Sequence, residues 1–270
     1  MRRPAILAAL LLVVAGCGGG GGGKSAQNGA LAGLNPIAQA AAKTSGAGSV
    51  KIEFDISGKG VNGGGRGVFD TGTTGAGRLA MTVQGTSGPA TTVDTIINGA
   101  VLYMRSPVFT QAIPAGKYWV RVDLALLAKQ NGVDLGSLVD SNPTPNGALA
   151  YLRGSTGKVQ ELGKEKVKGE DTTHYRATID LEQAAKRAKG STKQSIRRVI
   201  DVAGVTKLPV DVWVGADGYV RKVTYAQHSG KSQSAKITME MYDFGSPVTI
   251  TAPPAATVID FQKMLGPQGS

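Results

Sequence analysis

The sequence predicts an α+β chain: one large, strongly curved antiparallel sheet of about ten or eleven strands, with helices over its concave face. Two observations carry this. Apolar and polar residues alternate with period two through most segments after Ser49. The links between those segments are too short for crossover helices, so neighbouring strands run antiparallel. A curved sheet leaves an apolar concave side to cover, and the few stretches with helical spacing are its natural cover.

The elements follow in order. Asn35 is a good N-cap and Pro36 suits the first helical position, so a helix is expected from Asn35 to Thr44. Val50, Ile52, Phe54 and Ile56 then alternate with Lys51, Glu53 and Asp55, a half-buried strand. Arg66–Asp70, Gly77–Gln84, Thr91–Ile97, Val101–Met104 and Lys117–Val122 continue the meander, with Asn98-Gly99 as a tight turn. Asp123 can cap a helix over Leu124–Lys129. A short turn is expected at Leu135–Val139 and a helix at Asn146–Arg153. Strands resume at Val159–Lys168 and Thr172–Ile179. Asp180 opens a helical stretch in which Ile196, Val199, Ile200 and Ala203 share one face. Leu208–Val214, Tyr219–His228 and Ser232–Phe244 close the sheet, with Asp217-Gly218 and Gly230 at the turns. Pro247, Pro253 and Pro254 mark an extended arm.

The N-terminus reads as an export signal. Arg2 and Arg3 precede an apolar run, Pro4–Val14, far shorter than the roughly 20 residues of a membrane span. Val14-Ala15-Gly16-Cys17 resembles the lipobox of bacterial lipoproteins. That resemblance implies cleavage before Cys17 and acylation of its thiol and amine, and more than one acyl chain anchors stably. The organisation expected is a signal peptide at 1–16, a glycine-rich tether at 17–32, a folded domain at 33–262 and a tail at 263–270. Gly18 to Ala30 is a coil with a reach on the order of 20 Å.

Composition excludes several classes. One cysteine and two histidines rule out an intrachain disulfide scaffold and cysteine- or histidine-rich metal centres, and no cofactor is expected. The net charge is +11, from 30 basic and 19 acidic residues, and loss of Arg2 and Arg3 with the signal makes it +9. Much of the excess falls between Lys158 and Arg198. Lys186, Arg187, Lys189, Lys193, Arg197 and Arg198 are candidates to face anionic headgroups. Nucleic-acid binding is not expected: the chain is exported, and only Tyr175 interleaves that basic run.

Two motif matches fail their context. Gly18–Ser25 fits the phosphate-loop spacing but follows a signal peptide, not a buried strand. Gly58, Gly60 and Gly63 fit a dinucleotide fingerprint but lead into another strand, not a helix. No nucleophile elbow accompanies His174 or His228. Asp94, Asp123, Asp211 and Asp217 fit strand-face, cap and turn positions, so no catalytic residue is assigned and the chain is not expected to be an enzyme.

Across residues 33–262 the chain resembles the LppX/LprG-type actinobacterial lipoproteins of the LolA-like superfamily. The resemblance rests on Lys117-Tyr118-Trp119-Val120 before Asp123-Leu124, and on His174-Tyr175-Arg176 before Ile179-Asp180-Leu181. It rests further on Leu208–Val214, Asp217-Gly218-Tyr219-Val220-Arg221-Lys222, and Tyr242-Asp243-Phe244-Gly245 with Pro247-Val248 and Pro253-Pro254. It implies an incomplete β-barrel closed by helices over an apolar cavity. It implies also a lipid-anchored protein on the outer face of the cytoplasmic membrane that binds or transfers acylated lipids or glycolipids. An envelope sensor or accessory protein binding a protein partner on the same scaffold is the alternative.

On this reading Ile52, Phe54, Ile56, Val68, Leu79, Met81, Val83, Ile237, Met239 and Met241 are cavity-wall candidates, and Leu124, Leu127, Leu149 and Leu152 are lid candidates. Alternation alone does not separate such positions from ordinary core.

Overall fold

The computed structural model describes residues 35–264, apart from 59–60, 73–74, 86–87, 110–111, 132–144, 154–157, 188–192, 195, 198–199, 202–203 and 230–231. Helix α1 (Pro36–Ser45) opens the fold. The Asn35 side chain caps it, its Oδ1 accepting the Ala38 N–H at 2.9 Å. A first meander follows: β1 (Ser49–Gly58), β2 (Val61–Asp70), β3 (Gly77–Gly85), β4 (Thr91–Asn98), β5 (Val101–Arg105) and β6 (Trp119–Asp123). Asp123 then caps α2 (Leu124–Asn131), accepting the Leu126 N–H at 3.0 Å. Helix α3 (Pro145–Arg153) precedes the second meander. This comprises β7 (Val159–Val167), β8 (Glu170–Asp180), helix α4 (Leu181–Arg187), β9 (Lys207–Gly215), β10 (Val220–Ser229) and β11 (Ser232–Tyr242). Asp180 caps α4 through the Gln183 N–H at 2.9 Å. All three caps fall where the sequence places them.

The strands form one sheet in the order β12-β6-β5-β4-β3-β2-β1-β11-β10-β9-β8-β7. The two meanders meet at a single antiparallel seam, where Ile52 stands opposite Met241 and Phe54 opposite Met239. The order does not close on itself, so β7 and β12 are its edges.

The twelfth strand, β12 (Val258–Asp260), was not legible in the sequence. It pairs in parallel with β6, and only tertiary docking makes three residues a strand. The Tyr118 N–H donates to Thr257 O at 2.8 Å, Lys117 Nζ donates to Ala256 O at 2.8 Å, and Arg121 binds Asp260 at 2.9 Å. The proline-marked arm is therefore a strap from the seam to the far edge. Helix α5 (Phe261–Met264) extends it, and Phe261 and Met264 pack against Val120, Val122 and Leu124. Packed structure thus runs two residues into the stretch expected as tail.

Strand β2 is longer than expected because its glycines face crowded neighbours. A Cβ on Gly65 would come within 2.9 Å of Phe54 Cε1, and one on Gly67 within 3.0 Å of Leu79 Cδ1. The glycines let side chains of β1 and β3 lie across β2, a role invisible as a hydrophobic period. The same run explains a correction. Val68, expected on the apolar face, stands opposite Lys51 and so belongs to the charged face, while Phe69 opposite Val50 takes the apolar side. Gly63, Gly64, Gly65 and Gly67 carry no alternation that would set the phase.

The proposed motif positions Gly58 and Gly63 lie within β1 and β2. The Gly18–Ser25 run, Cys17, Gly60, the turn at Leu135–Val139, and Val199 and Ala203 lie outside the described residues.

The concave face as candidate binding site

Register fixes which side chains share the apolar face. From β1 come Ile52, Phe54 and Ile56, opposite Met241, Met239 and Ile237 of β11. Across β2 lie Leu79, Met81 and Val83 of β3. Helices α1 and α4 join this core through Ile37, Ala40, Ala41, Leu181, Ala184 and Ala185, and Leu149 and Leu152 of α3 are fully buried in it. Leu124 and Leu127 of α2 belong elsewhere. They pack with Val120 and Val122 in a second cluster at the β6 edge. The four helical leucines thus occupy two clusters and do not form one lid.

Between the hairpin tips, the concave face of β1–β6 and β8–β11 carries no charged side chain. Several of its side chains stay only half-buried: Met81, Val83, Leu102, Tyr175 and Tyr225. The two tyrosines were not among the sequence candidates. The alternation Thr173-Tyr175-Ala177-Ile179 and the pair Val223-Tyr225 carried the signal, but polar-tipped residues are easily read as outward-facing. Burial pushes the Tyr225 phenol up to about 12, so it stays protonated at physiological pH.

The convex face has the opposite character. Glu53 binds Lys168 at 2.7 Å, and Lys168 also reaches Glu240 at 3.2 Å. Lys51 pairs with Asp243 at 2.7 Å. These contacts hold the Glu53 carboxyl below its usual range, chiefly through the Lys168 hydrogen bond, and raise Lys51 and Lys168. A concavity of about 620 Å³ is lined by Glu53, Asp55, Arg66, Thr82 and Glu240 together with Gly64 and Ala80. Phe54 and Met81 also line it, so its wall mixes charged and apolar residues.

His174 is on this face too, only 8% exposed and stacked on Trp213 at 4.1 Å. Its Nδ1 lies 2.8 Å from Glu165 and its Nε2 2.9 Å from Asp211. The Trp213 indole N–H donates to Glu165 at 2.7 Å and, with His174, holds that carboxyl below its usual range. Both imidazole nitrogens are therefore taken by carboxylates and face no hydroxyl nucleophile. His174 welds β7 to β8 and β9. Among the described residues, no group of three His, Cys, Asp or Glu side chains is placed to hold a metal ion.

The basic candidates divide. Lys186, Lys193 and Arg197 are exposed and, among the described residues, have no ion-pair partner; Lys158 and Lys207 share that state. Register places Lys158 before β7 and Lys207 opposite Asp180, at the end of the sheet from which α4 departs. Arg187 closes α4, and nothing is described of its side chain. Lys189 and Arg198 lie outside the described residues. No helix among the described residues is long and apolar enough to cross a membrane.

No protein-family model matches the chain. The chain is 32% identical over 162 residues to an uncharacterized 31.2 kDa protein of Streptomyces griseus, covering 57% of this chain and 52% of that one. It is 30% identical over 160 residues to a candidate lipoprotein of Streptomyces coelicolor, covering 57% of this chain and 46% of that one. The chain thus spans about half the length of the curated relatives it matches. Among solved structures, LprF of Mycobacterium bovis is similar at a TM-score of 0.50 and 15% identity, covering 87% of this chain and 99% of that one. The lipoprotein LppX of Mycobacterium tuberculosis is similar at 0.47 and 18% identity, covering 81% of this chain and all of that one. The chain has the fold of LprF, an open curved antiparallel sheet with few helices. The resemblance to LppX/LprG-type lipoproteins read from the sequence is thereby supported at the level of fold.

Proposed function

We propose that the chain is an exported, lipid-anchored envelope protein that holds an acylated lipid or glycolipid against the concave face of its sheet. One observation carries the reading: ten strands turn an uncharged, largely aliphatic surface inward, and part of it stays half-buried although the convex face is laced with ion pairs. Acyl chains need apolar area, worth about 25 cal/mol per Å² buried, and this surface supplies it without aromatic stacking. Met81, Met239 and Met241 add adaptable contacts.

Cys17 is the attachment point, after removal of residues 1–16 and ahead of the tether. Lys186, Lys193 and Arg197, exposed and without an ion-pair partner among the described residues, face anionic headgroups on the outer face of the cytoplasmic membrane. His174 and its carboxylates serve structure, so the chain binds and does not catalyse.

The test has two arms. Cells expressing the full chain are fed a radiolabelled fatty acid; label is expected on the wild type and none on Cys17→Ser. The chain is also purified in mild detergent and analysed by native mass spectrometry, with co-purifying acylated lipid expected. Absence of bound lipid together with failure to bind a fluorescent acyl probe overturns the lipid-holding reading, and a co-purifying protein in its place supports partner binding.

A further inference from the structure

We infer that the hollow lined by Asp55 and Arg66 is a second binding site. Its ligand is a short zwitterionic peptide, with the free ammonium on Asp55 and the free carboxylate on Arg66. The inference is independent of the lipid-holding reading and makes no use of the concave face.

Two neighbouring cross-strand rows build the site. Thr238, Asp55, Gly64, Thr82 and Thr92 stand opposite one another from β11 through β1, β2 and β3 to β4. Glu240, Glu53, Arg66 and Ala80 form the row beside it. Positions two apart on a strand point to one face, so both rows line the same hollow of about 620 Å³. Gly64 and Ala80, on its middle strands, fill little of it. A Cβ on Gly64 would come within 2.8 Å of Phe54 O, so that position stays bare.

The charges select the ligand. Lys168 holds Glu53 at 2.7 Å and Glu240 at 3.2 Å, so both carboxylates are already met. Arg66 reaches only Glu53, at 3.9 Å, and its side chain is 77% exposed. Asp55 is exposed and has no ion-pair partner among the described residues. The two are diagonal neighbours across β1 and β2 and do not pair with each other. One spare carboxylate and one spare guanidinium therefore face one hollow, with Cα atoms about 7–8 Å apart. An anion alone would leave Asp55 opposing it, and a cation alone would meet Arg66, so the ligand that suits both carries both charges. The charged groups of a single amino acid share one carbon, whereas each further residue of a peptide adds about 3.5 Å and lets it span the diagonal. Between the ends lie the Thr82 and Thr92 hydroxyls, exposed and without a hydrogen-bond partner among the described residues, which can donate to and accept from peptide amides.

The test is calorimetric titration of the full chain in mild detergent with trialanine, N-acetyl-trialanine, trialanine amide and spermidine. Trialanine is expected to bind at millimolar concentration, and each blocked peptide about fivefold more weakly, the worth of one exposed ion pair. Asp55→Asn is expected to weaken trialanine about fivefold, to bind the free and acetylated peptides alike, and still to discriminate against the amide. Arg66→Gln is expected to show the converse. Equal binding of free and blocked peptides by the wild type, or no binding of trialanine, overturns the site. Spermidine binding as tightly as trialanine makes it a cation site and overturns the ligand class. Selectivities unchanged in both variants place the peptide elsewhere and overturn the assignment. None of these outcomes bears on lipid binding, which the acyl probe reads separately.

Discussion

The Thr44 hydroxyl accepts the Val220 N–H at 2.9 Å and donates to Ala40 O at 2.7 Å, so one buried side chain ties the last turn of α1 to the start of β10. Around it runs a layered stack. Lys43 lies over the Tyr219 ring, Tyr219 stacks on Phe244 at 4.6 Å, and Arg221 covers the other side of Phe244 at 4.8 Å. Helix α1 is thereby fastened to the start of β10 and, through Tyr219 and Phe244, to the end of β11.

Thr44→Val keeps the shape of this joint and removes its acceptor. The Val220 N–H would then be buried without a partner, a loss of about 1–3 kcal/mol. Thr44→Ser keeps the hydroxyl and forfeits one methyl, about 0.8 kcal/mol. Urea denaturation of both variants checks the order; equal losses would assign the effect to packing alone.

Gly65→Ala places a methyl 2.9 Å from Phe54 Cε1 and against the β3 backbone, which has to move. A loss of about 1–3 kcal/mol is expected. Gly85→Ala, in the same sheet with nothing within 4 Å of the added carbon, is the control and is expected to change little. Thermal melts of the two decide whether β2 needs its glycines for space or merely tolerates them.

Acid should weaken the fold by a defined route. Glu165 is held low by the Trp213 indole N–H and by His174, Glu53 by Lys168, and Asp171 by Lys166. A carboxyl with a depressed folded value stabilises the native state above its unfolded value, near 4, and loses that contribution as pH falls through the folded value. Melting temperature is expected to be steady above about pH 5 and to drop below about pH 4. Glu165→Gln should melt lower than wild type at pH 6, with the gap narrowing toward pH 3. A gap independent of pH would remove Glu165 from the account.

Charge reversal at Lys186, Lys193 and Arg197 tests the orientation toward the membrane. In a Cys17→Ser background, binding to phosphatidylglycerol vesicles is expected to fall by about fivefold per residue, from about 1 kcal/mol each. Binding to phosphatidylcholine vesicles should not change. Co-sedimentation at two salt concentrations reads both, and an equal fall on the two lipids would assign it to something other than charge.

Where side chains alternate, the sequence was enough to place strands: β1, β3 and β8 lie where Val50–Ile56, Gly77–Gln84 and Thr172–Ile179 indicate. Caps were equally legible, because Asn35, Asp123 and Asp180 act on their own next turn. Features that depend on distant chain were not. The phase of β2 hangs on Phe54 and Leu79 lying over its glycines, and β12 exists only because β6 offers it an edge. The candidate site divides the same way: Ile52, Phe54, Met239 and Met241 were found from alternation, whereas Tyr175 and Tyr225 join that face only through the register of their strands.

The seam between the two meanders joins the first strand to the eleventh, so that Lys51 meets Asp243 across 192 residues. A chain made N-terminus first can complete either meander from local hairpins, but β1 waits for its second neighbour until almost the whole chain has emerged, and β6 waits longer still for the strap. For that interval both strands offer bare edges to any passing chain. Truncations near the C-terminus should therefore show themselves first as aggregation during synthesis, before any loss of stability in the finished protein.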